Sequence, residues 1–402
     1  MELTKEQKNR VLRTRELFIK DFKVEPADYF QSCGRLEIIG NHVDYNSGCL
    51  INTNAGNLNI FASAGKADSL ITIKSEGYPD TIVDINKLEY VKSEEETSVA
   101  LIKGLLKKLV DNGYKIGGLN VEMNSSIYKG GGVSSSASFS VLIGKMISYY
   151  YNKDKIPGMT IAKSSRWAEN NYFGKGSGLQ DQIGCMAEGF AFNDYKDQEN
   201  PQIAVFPAKL GDYHIFLIDT KTDHAESQGG FQSIVSDMNS ISRHFNVKYL
   251  NEIPFEEFMD EYAKVENRPQ RSWCRAYHFL TEVKRVKRAY KDLLEGDVKS
   301  FLGELNDSGL SSEYNLQSIV AEGHKTNNLK ECLHIARSIL KDGAIRVHGG
   351  GFGGTCIVFI NKHEEKAFIE EMKKEFPIGN IIPVIINDKP LRQIDKNELG
   401  LK

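Results

Sequence analysis

The chain has 402 residues and a formal net charge of −3, with 51 Lys and Arg against 54 Asp and Glu. Single hydrophobic cores usually stop growing at about 250–300 residues, so this length predicts two domains. Because the charges are balanced and interspersed, they do not favour a nucleic acid or an anionic membrane as partner, and a small molecule is expected. Six cysteines without a CxxC pair, no basic-then-apolar opening segment and no apolar run of about 20 residues predict a cytoplasmic protein with reduced thiols.

The first distinctive segment is Gly34-Arg-Leu-Glu-Ile-Ile-Gly-Asn-His-Val-Asp-Tyr-Asn-Ser-Gly48. It places His42 and Asp44 close together, and paired hydrogen-bonding groups of this kind suit the adjacent hydroxyls of a sugar. Further along, apolar residues recur at helical spacing from Val99 to Val110 and stop at Asn112-Gly113. This pattern predicts a helix that ends at a glycine cap.

The second segment is Gly130-Gly-Gly-Val-Ser-Ser-Ser-Ala-Ser138. Its glycines allow backbone N–H groups to surround a phosphate, and the serines predict the start of a helix whose positive end faces that phosphate. The Gly-Lys-Ser/Thr of a Walker loop is absent, which argues against a P-loop nucleotide triphosphatase. Taken alone, the segment could equally be a glycine-rich turn before a serine-capped helix.

The remaining elements mix strands and helices in an order that fits an α+β fold. We predict strands over 189–192, 213–219, 344–347 and 355–360, and helices over 273–294 and 329–340. The third glycine segment, His348-Gly-Gly-Gly-Phe-Gly-Gly354, then forms a strand-to-strand turn. The polar stretch 195–201 suggests domains over 1–205 and 206–402, with the last strand able to return to the first domain.

Together the three segments resemble those of the galactokinases, within the GHMP kinase superfamily. Positions that match the family pattern are Gly34, Arg35, Ile39, Gly40, His42, Asp44, Tyr45, Asn46, Gly48, Gly130, Gly132, Ser134, Ser135, Ser136, Ala137, Ser138 and Gly178-Leu-Gln-Asp-Gln182. Asn41 stands where the family has glutamate, Val43 where it has threonine and Tyr128 where it has proline. The resemblance implies an N-terminal domain with a left-handed β-α-β unit and a ferredoxin-like C-terminal domain.

The resemblance also implies an ATP- and Mg²⁺-dependent kinase acting on the anomeric hydroxyl of galactose. Asp181 and Arg35 would be catalytic, and Ser136 and Glu169 would bind Mg²⁺. Nucleotide phosphates would be bound by Gly130, Gly131, Gly132, Ser134, Ser135, Ser136 and Ser138, and the sugar by Asn41, His42, Asp44, Gly178 and Phe231. Because a nearby guanidinium lowers an aspartate's pKa, Asp181 either accepts the proton late or mainly orients the hydroxyl.

Two departures from the family pattern leave the sugar open. Asn41 is neutral where the family glutamate holds the hydroxymethyl end of galactose, and Phe231 lacks the hydroxyl of the family tyrosine. A buried partner left unpaired changes specificity strongly, so a kinase of a related sugar such as galacturonate is one alternative. A galactokinase-like regulator that binds sugar without turnover is another. The sequence predicts no particular oligomeric state.

Overall fold

The structure is a computed structural model that describes residues 2–127, 131–207, 209–222, 227–265, 269–321 and 323–401. Its strands are β1 (Asp28–Ile39), β2 (Cys49–Ala67), β3 (Leu70–Ser75), β4 (Thr81–Asp84), β5 (Gly118–Ser125), β6 (Phe190–Asp194), β7 (Gln202–Phe206), β8 (Tyr213–Asp219), β9 (Gly343–Val347), β10 (Thr355–Asn361), β11 (Asn380–Val384) and β12 (Arg392–Ile394). Its α-helices are α1 (Lys5–Phe22), α2 (Ser98–Asp111), α3 (Ser135–Asn152), α4 (Gly158–Ala168), α5 (Gln180–Met186), α6 (Ser227–His244), α7 (Phe255–Lys264), α8 (Gln270–Glu295), α9 (Val298–Ser311), α10 (Asn328–Ile339) and α11 (Glu365–Glu375).

The first sheet has the order β12-β1-β2-β5-β3-β4, and β6 and β7 extend it from the first half of β2. Neighbouring side chains of β1 point to opposite faces, as in any strand. Phe30 therefore enters the main core, whereas Tyr29 joins a smaller cluster with Val11 of α1. Helices α3 and α5 pack against β1. The sheet is thus covered by helices on both faces at β1, which explains why this strand is buried along almost its whole length.

The parallel pair β3–β5 is joined through α2. Helix α2 is capped by Thr97, whose side chain accepts a hydrogen bond from the Ala100 N–H, and it is followed by Gly113 at φ +83°. The predicted helix and its glycine cap are confirmed. The left-handed crossing of the β-α-β unit stays a prediction.

The second sheet is antiparallel, with the order β11-β8-β10-β9. Helices α6 to α10 connect β8 to β9, and α11 connects β10 to β11, so the connectivity is that of a ferredoxin-like unit with added helices. Leu333 of α10 and Phe368 of α11 pack on one face of this sheet. Phe301 of α9 packs on the other, against Phe359 at 5.7 Å between ring centroids. The ferredoxin-like prediction is confirmed.

The predicted strands and helices agree with the structure at β6, β8, β9, β10, α8, α10 and the start of α3. The turn over 348–354 joins β9 to β10, as expected. The last strand pairs with β1, through contacts such as Tyr29 with Ile394. The domain boundary at 205/206 falls within β7 and stays a prediction. Among the described helices, none combines the length and apolar character that a bilayer-spanning segment requires.

Candidate active site

The three glycine segments meet at one cavity of about 250 Å³, close to the lower end of the range for small-ligand sites of about 300–1,000 Å³. Segment 175–181 forms a further wall. The cavity wall includes Arg35, Glu37, His42, Asp44, Tyr45, Gly132, Ser134, Lys175, Gly178, Gln180, Asp181, Phe231, His348 and Gly350.

Arg35 and Asp181, which are both buried, form an ion pair at this cavity. The guanidinium Nε donates to Asp181 Oδ1 at 2.9 Å, and Nη2 donates to the same oxygen. Burial alone would raise the pKa of Asp181, but the charges of Arg35 and Lys175 outweigh it and hold that pKa well below its usual value. Asp181 is therefore a carboxylate at any physiological pH. The structure brings together the two residues predicted to be catalytic.

Lys175 is a site residue that the sequence analysis missed. Its Nζ lies 3.5 Å from Asp181 Oδ2 and 3.8 Å from Glu169 Oε1. The side chain is partly exposed, so these ionic contacts are open to solvent. Lys175 thus adds a second positive charge beside the Arg35–Asp181 pair. Its position, six residues before Asp181 in a glycine-rich stretch, was the available signal.

Ser136 and Glu169, the predicted Mg²⁺ ligands, are in direct contact. The Ser136 hydroxyl donates to Glu169 Oε1 at 2.6 Å, while Ser177 and Gln182 donate to Oε2 at 2.7 and 2.9 Å. Glu169 is fully buried and begins a π-helical turn over Glu169–Phe173, which directly follows α4. Across the described ranges, no group of three or more His, Cys, Asp or Glu side chains could hold a metal ion. One carboxylate and one hydroxyl still suit Mg²⁺, which keeps waters and phosphate oxygens as its other ligands.

The second glycine segment, here called the phosphate loop because it is predicted to bind nucleotide phosphates, leads into α3. Its first glycine, Gly130, lies outside the described residues, as does Tyr128. Gly132 and Ser135 are exposed at the start of α3, and Ser134 lines the cavity. Ser138 differs from the other serines. It is fully buried and its hydroxyl lies 2.8 Å from that of Ser32 on β1, so its predicted role in nucleotide binding remains a prediction.

A chain of hydrogen bonds joins the three glycine segments. The Thr355 hydroxyl donates to the Gly131 carbonyl at 3.2 Å, and His348 Nδ1 lies 2.9 Å from that hydroxyl. His348 Nε2 accepts from the Glu37 backbone N–H at 3.1 Å. Since Nε2 accepts, Nδ1 carries the proton, and burial together with Arg35 and Arg346 lowers the pKa of His348 so that the ring stays neutral. This chain connects β1, the β9–β10 turn and the phosphate loop.

Asp44 lines the cavity close to Gly178. It is buried, and burial, with Asp181 and Glu37 nearby, raises the pKa of Asp44 to about 7. A Cβ at Gly178 would lie 1.7 Å from Asp44 Oδ2, so only glycine lets the loop approach this carboxylate. Asp44 and Gly178, two of the five residues predicted to bind the sugar, are therefore adjacent.

The raised pKa of Asp44 predicts a pH-dependent stability. The unfolded carboxyl has a pKa near 3.8, so between about pH 4 and 7 the folded protein binds a proton that the unfolded chain releases. Stability should fall as pH rises through this window, by up to about 1.4 kcal/mol per pH unit from this group. Asp44→Asn should therefore gain stability relative to the wild type as pH rises. Urea unfolding of both proteins from pH 4.5 to 7.5 measures the difference, and parallel curves would contradict the assignment.

His42 and Phe231 form the apolar wall of the cavity. Their ring centroids are 5.4 Å apart, and Phe231 covers Gly350, where a Cβ would lie 1.9 Å from Phe231 Cε1. Both His42 nitrogens have partners, the Gly350 carbonyl at 2.9 Å and the Tyr45 hydroxyl at 3.1 Å. Burial lowers the pKa of His42 to about 4, so the ring is neutral. His42 is thus held by protein groups, and its contact with a sugar remains a prediction.

Asn41 does not belong to the cavity wall. It is fully buried, and its Oδ1 accepts from the Ser312 hydroxyl at 3.1 Å. Gly40, at φ +104°, turns the chain immediately after β1. Asn41 therefore does not continue the alternation of side chains along that strand. The role predicted for Asn41 at the hydroxymethyl end of the sugar stays a prediction.

Known proteins match this chain over most of its length. Residues 100–189 match the family model of the GHMP kinases N terminal domain, and residues 16–57 match the galactokinase galactose-binding signature. Galactokinase of Clostridium tetani is 30% identical over 388 residues, covering 93% of this chain and 92% of that protein. The chain belongs to the galactokinase family. Galactokinase of Streptococcus suis is likewise 30% identical, over 379 residues, with 90% of this chain and 92% of the relative covered.

Solved structures show the same fold. The crystal structure of Lactococcus lactis galactokinase complexed with galactose aligns with a TM-score of 0.85 at 22% identity, over 95% of this chain and 99% of the other. Methanococcus jannaschii mevalonate kinase aligns with a TM-score of 0.62 at 16% identity, over 89% and 98%. The α+β, two-domain GHMP kinase fold predicted from the sequence is confirmed. As a member of the galactokinase family, the chain is an ATP-dependent kinase.

Proposed function

We propose that this galactokinase-family chain transfers the γ-phosphoryl group of ATP to the anomeric hydroxyl of galactose, giving galactose 1-phosphate. The observation that carries the proposal is the buried Arg35–Asp181 pair. It shares one cavity with Gly132 of the phosphate loop and with Asp44, which lies inside the matched galactose-binding signature. A phosphate donor and a sugar hydroxyl would therefore meet at this pair.

Asp181 would act first by orienting the hydroxyl. With its pKa held low, the carboxylate is a poor base toward an unreacted sugar, yet it is a good hydrogen-bond acceptor. The hydroxyl proton becomes acidic only as the bond to phosphorus forms, and Asp181 would accept it at that stage. Arg35 would stabilise the charge on the transferring phosphoryl group, since positioning and electrostatics provide most of the catalysis in phosphoryl transfer.

The nucleotide would be bound by the loop from Gly130 to Ser136, and Mg²⁺ by Ser136 and Glu169. When bound, Mg²⁺ would neutralise phosphate charge. The contact of Ser136 with Glu169 supports this pairing. A cytoplasmic location also remains our proposal. The five buried cysteines, Cys33, Cys49, Cys185, Cys332 and Cys356, form no disulfide.

Glu169→Gln should raise the Mg²⁺ concentration needed for half-maximal rate by at least about 10-fold, because a neutral amide is a weaker ligand than a carboxylate. The KM for galactose should stay near the wild-type value. Ser177→Ala is the matched control, since it removes hydrogen bonds to the other carboxylate oxygen and to Asn170 Oδ1 but leaves the Glu169 carboxylate in place. Rates at fixed ATP across a Mg²⁺ series, with the Mg²⁺-dependent shift in melting temperature, measure the effect. Unchanged Mg²⁺ dependence would remove Glu169 from the metal site.

The two alternative functions are less well supported. Among the described wall residues, the carboxylates Glu37, Asp44 and Asp181 face only two Lys or Arg side chains, and both of these contact Asp181. A galacturonate carboxylate would add further negative charge to this wall, where the described residues offer it no free cation. A regulator without turnover would not need the Arg35–Asp181 and Ser136–Glu169 contacts, which are both present.

The test is ADP release by the purified protein with Mg-ATP and galactose, galacturonate, N-acetylgalactosamine, arabinose or glucose, with Asp181→Asn as the blank. Fast turnover with galactose is the expected result. Turnover with galacturonate but not with galactose would show that galacturonate is the substrate. Galactose binding without ADP release would favour the regulator.

A further inference from the structure

Glu37 is a buried carboxylate at the cavity that the proposed mechanism does not use. It lies two residues after Arg35 on β1, so both side chains extend from the same face of the strand. It is 1% exposed and lines the cavity, and its Oε1 has no hydrogen-bond partner. Most buried polar atoms are hydrogen-bonded, and each exception in a native protein calls for an explanation.

Arg346 does not provide that partner. Its Nη2, which also has no hydrogen-bond partner, lies 3.8 Å from Glu37 Oε1, and this distance is too long for a hydrogen bond. Arg346 is fully buried behind the cavity wall, where its Nη1 donates to the Ile38 carbonyl at 2.8 Å. The ion pair lowers the electrostatic cost of burying Glu37 but leaves acceptor capacity on the carboxylate.

The same wall holds a second buried acceptor. Gln180 lines the cavity beside Asp181, and its side-chain amide hydrogen-bonds to the Glu37 carboxylate, while its own Oε1 has no hydrogen-bond partner. Two acceptor oxygens at one wall, neither with a hydrogen-bond donor, suit a ligand that supplies hydrogen-bond donors, as a polyhydroxylated sugar does. Two residues of a strand span about 6.6 Å, so Glu37 lies roughly one sugar ring away from Arg35 along β1.

We propose that Glu37 binds the substrate, its carboxylate accepting a hydrogen bond from a hydroxyl at the end of the sugar remote from the anomeric carbon. This inference rests on the proposed function, which sets the anomeric hydroxyl at Asp181. It assigns to Glu37 the recognition that the sequence analysis gave to Asn41, whose amide oxygen instead accepts from Ser312 and whose Nδ2 has no hydrogen-bond partner. The remote hydroxyls of a hexopyranose are those on C4 and C6.

The test compares wild type and Glu37→Gln on galactose and on 2-, 4- and 6-deoxygalactose. Gln keeps the size of the side chain but replaces a charged acceptor, so kcat/KM for galactose should fall by about 10- to 100-fold. That loss should disappear for the 4-deoxy or the 6-deoxy sugar, because the hydroxyl that Glu37 binds is then already absent, and it should persist for the 2-deoxy sugar. For wild type, kcat/KM should be lower on that same deoxy sugar than on galactose by a similar factor.

Glu122→Gln is the matched control. Glu122 is also a buried carboxylate of the first sheet with one unpartnered oxygen, but it does not line the cavity. Glu122→Gln should leave kcat/KM unchanged for all four sugars. If Glu37→Gln does not fold, Glu37→Asp provides the same comparison with the charge kept and the oxygens withdrawn by one methylene group.

An equal loss on all four sugars would assign Glu37 a structural role through Arg346 and overturn the proposal. No loss on galactose, or a loss that disappears only for 2-deoxygalactose, would overturn it as well. Failure of the proposed function is distinguishable, because wild type would then release no ADP with galactose.

Discussion

Asp181→Asn should lower kcat for galactose phosphorylation by about 10²- to 10⁴-fold, the range typical of a lost proton acceptor. The KM for galactose should change much less, because Asp44 and the rest of the wall remain. The reason is electrostatic, since an amide neither accepts the hydroxyl proton nor neutralises Arg35 and Lys175. Steady-state kinetics on folded protein measure the effect. Turnover near the wild-type level by a folded variant would place the chemistry elsewhere.

A measurement of stability distinguishes a loss of kcat caused by catalysis from one caused by unfolding. Removing Arg35 leaves Asp181 as a buried carboxylate whose remaining ion pair is the looser contact with Lys175, and breaking a buried pair in this way costs about 3–5 kcal/mol. Arg35→Ala should therefore melt well below wild type. Correcting each rate for the folded fraction leaves only the catalytic effect. Because the pKa of Asp181 is depressed, protonation of this residue should not reduce kcat down to about pH 5.

Gly178→Ala is expected to have the second largest effect. The added Cβ would lie 1.7 Å from Asp44 Oδ2 and 2.6 Å from its Cγ, so the carboxylate or the loop must move. A displacement of about 1 Å at an active site can cost about 10²-fold in rate. We expect kcat/KM for galactose to fall by about that factor, mainly through KM.

Gly158→Ala is the control for this substitution. Gly158 begins α4, and a Cβ there would contact nothing within 4 Å. Alanine at such a position should leave the kinetics unchanged and stabilise the protein by about 0.4–1 kcal/mol. Isothermal titration with galactose, beside the kinetics, shows whether binding is lost. Wild-type affinity in Gly178→Ala would mean that Asp44 is not a sugar ligand.

Much of the fold could be predicted because the local patterns are strong. The helix from Val99 to Val110 has both an apolar face and a glycine stop, and the strands of the second sheet are short apolar runs between turn residues. The pairing of β12 with β1, by contrast, depends on contacts between residues more than 350 positions apart, such as Tyr29 and Ile394. Local periodicity contains no information about such contacts, so the sequence allowed the last strand to return to the first domain but did not identify its partner strand.

The site was predictable where the family pattern specifies a residue and less so between those positions. Arg35 and Asp181 lie in matched segments, and they meet in the structure. Lys175 precedes its matched segment, and its contact with Glu169 depends on a π-helical turn that no sequence pattern indicated. Glu37 lies on the same face of β1 as Arg35, and the alternation of side chains along a strand could have predicted this. The turn at Gly40, which removes Asn41 from the cavity, could not.

The pairing of β12 with β1 also sets the order of events during translation. The sheet that holds Arg35 keeps an open strand edge until residue 394 has left the ribosome, because residues 392–394 occupy that edge. Until then Tyr29 and Phe61 lack the apolar cover of Ile394 and Leu399. An open edge beside exposed aromatic residues invites pairing with other chains. Nascent chains halted before this strand should therefore aggregate or engage chaperones, although every residue of the proposed chemistry has already been synthesised.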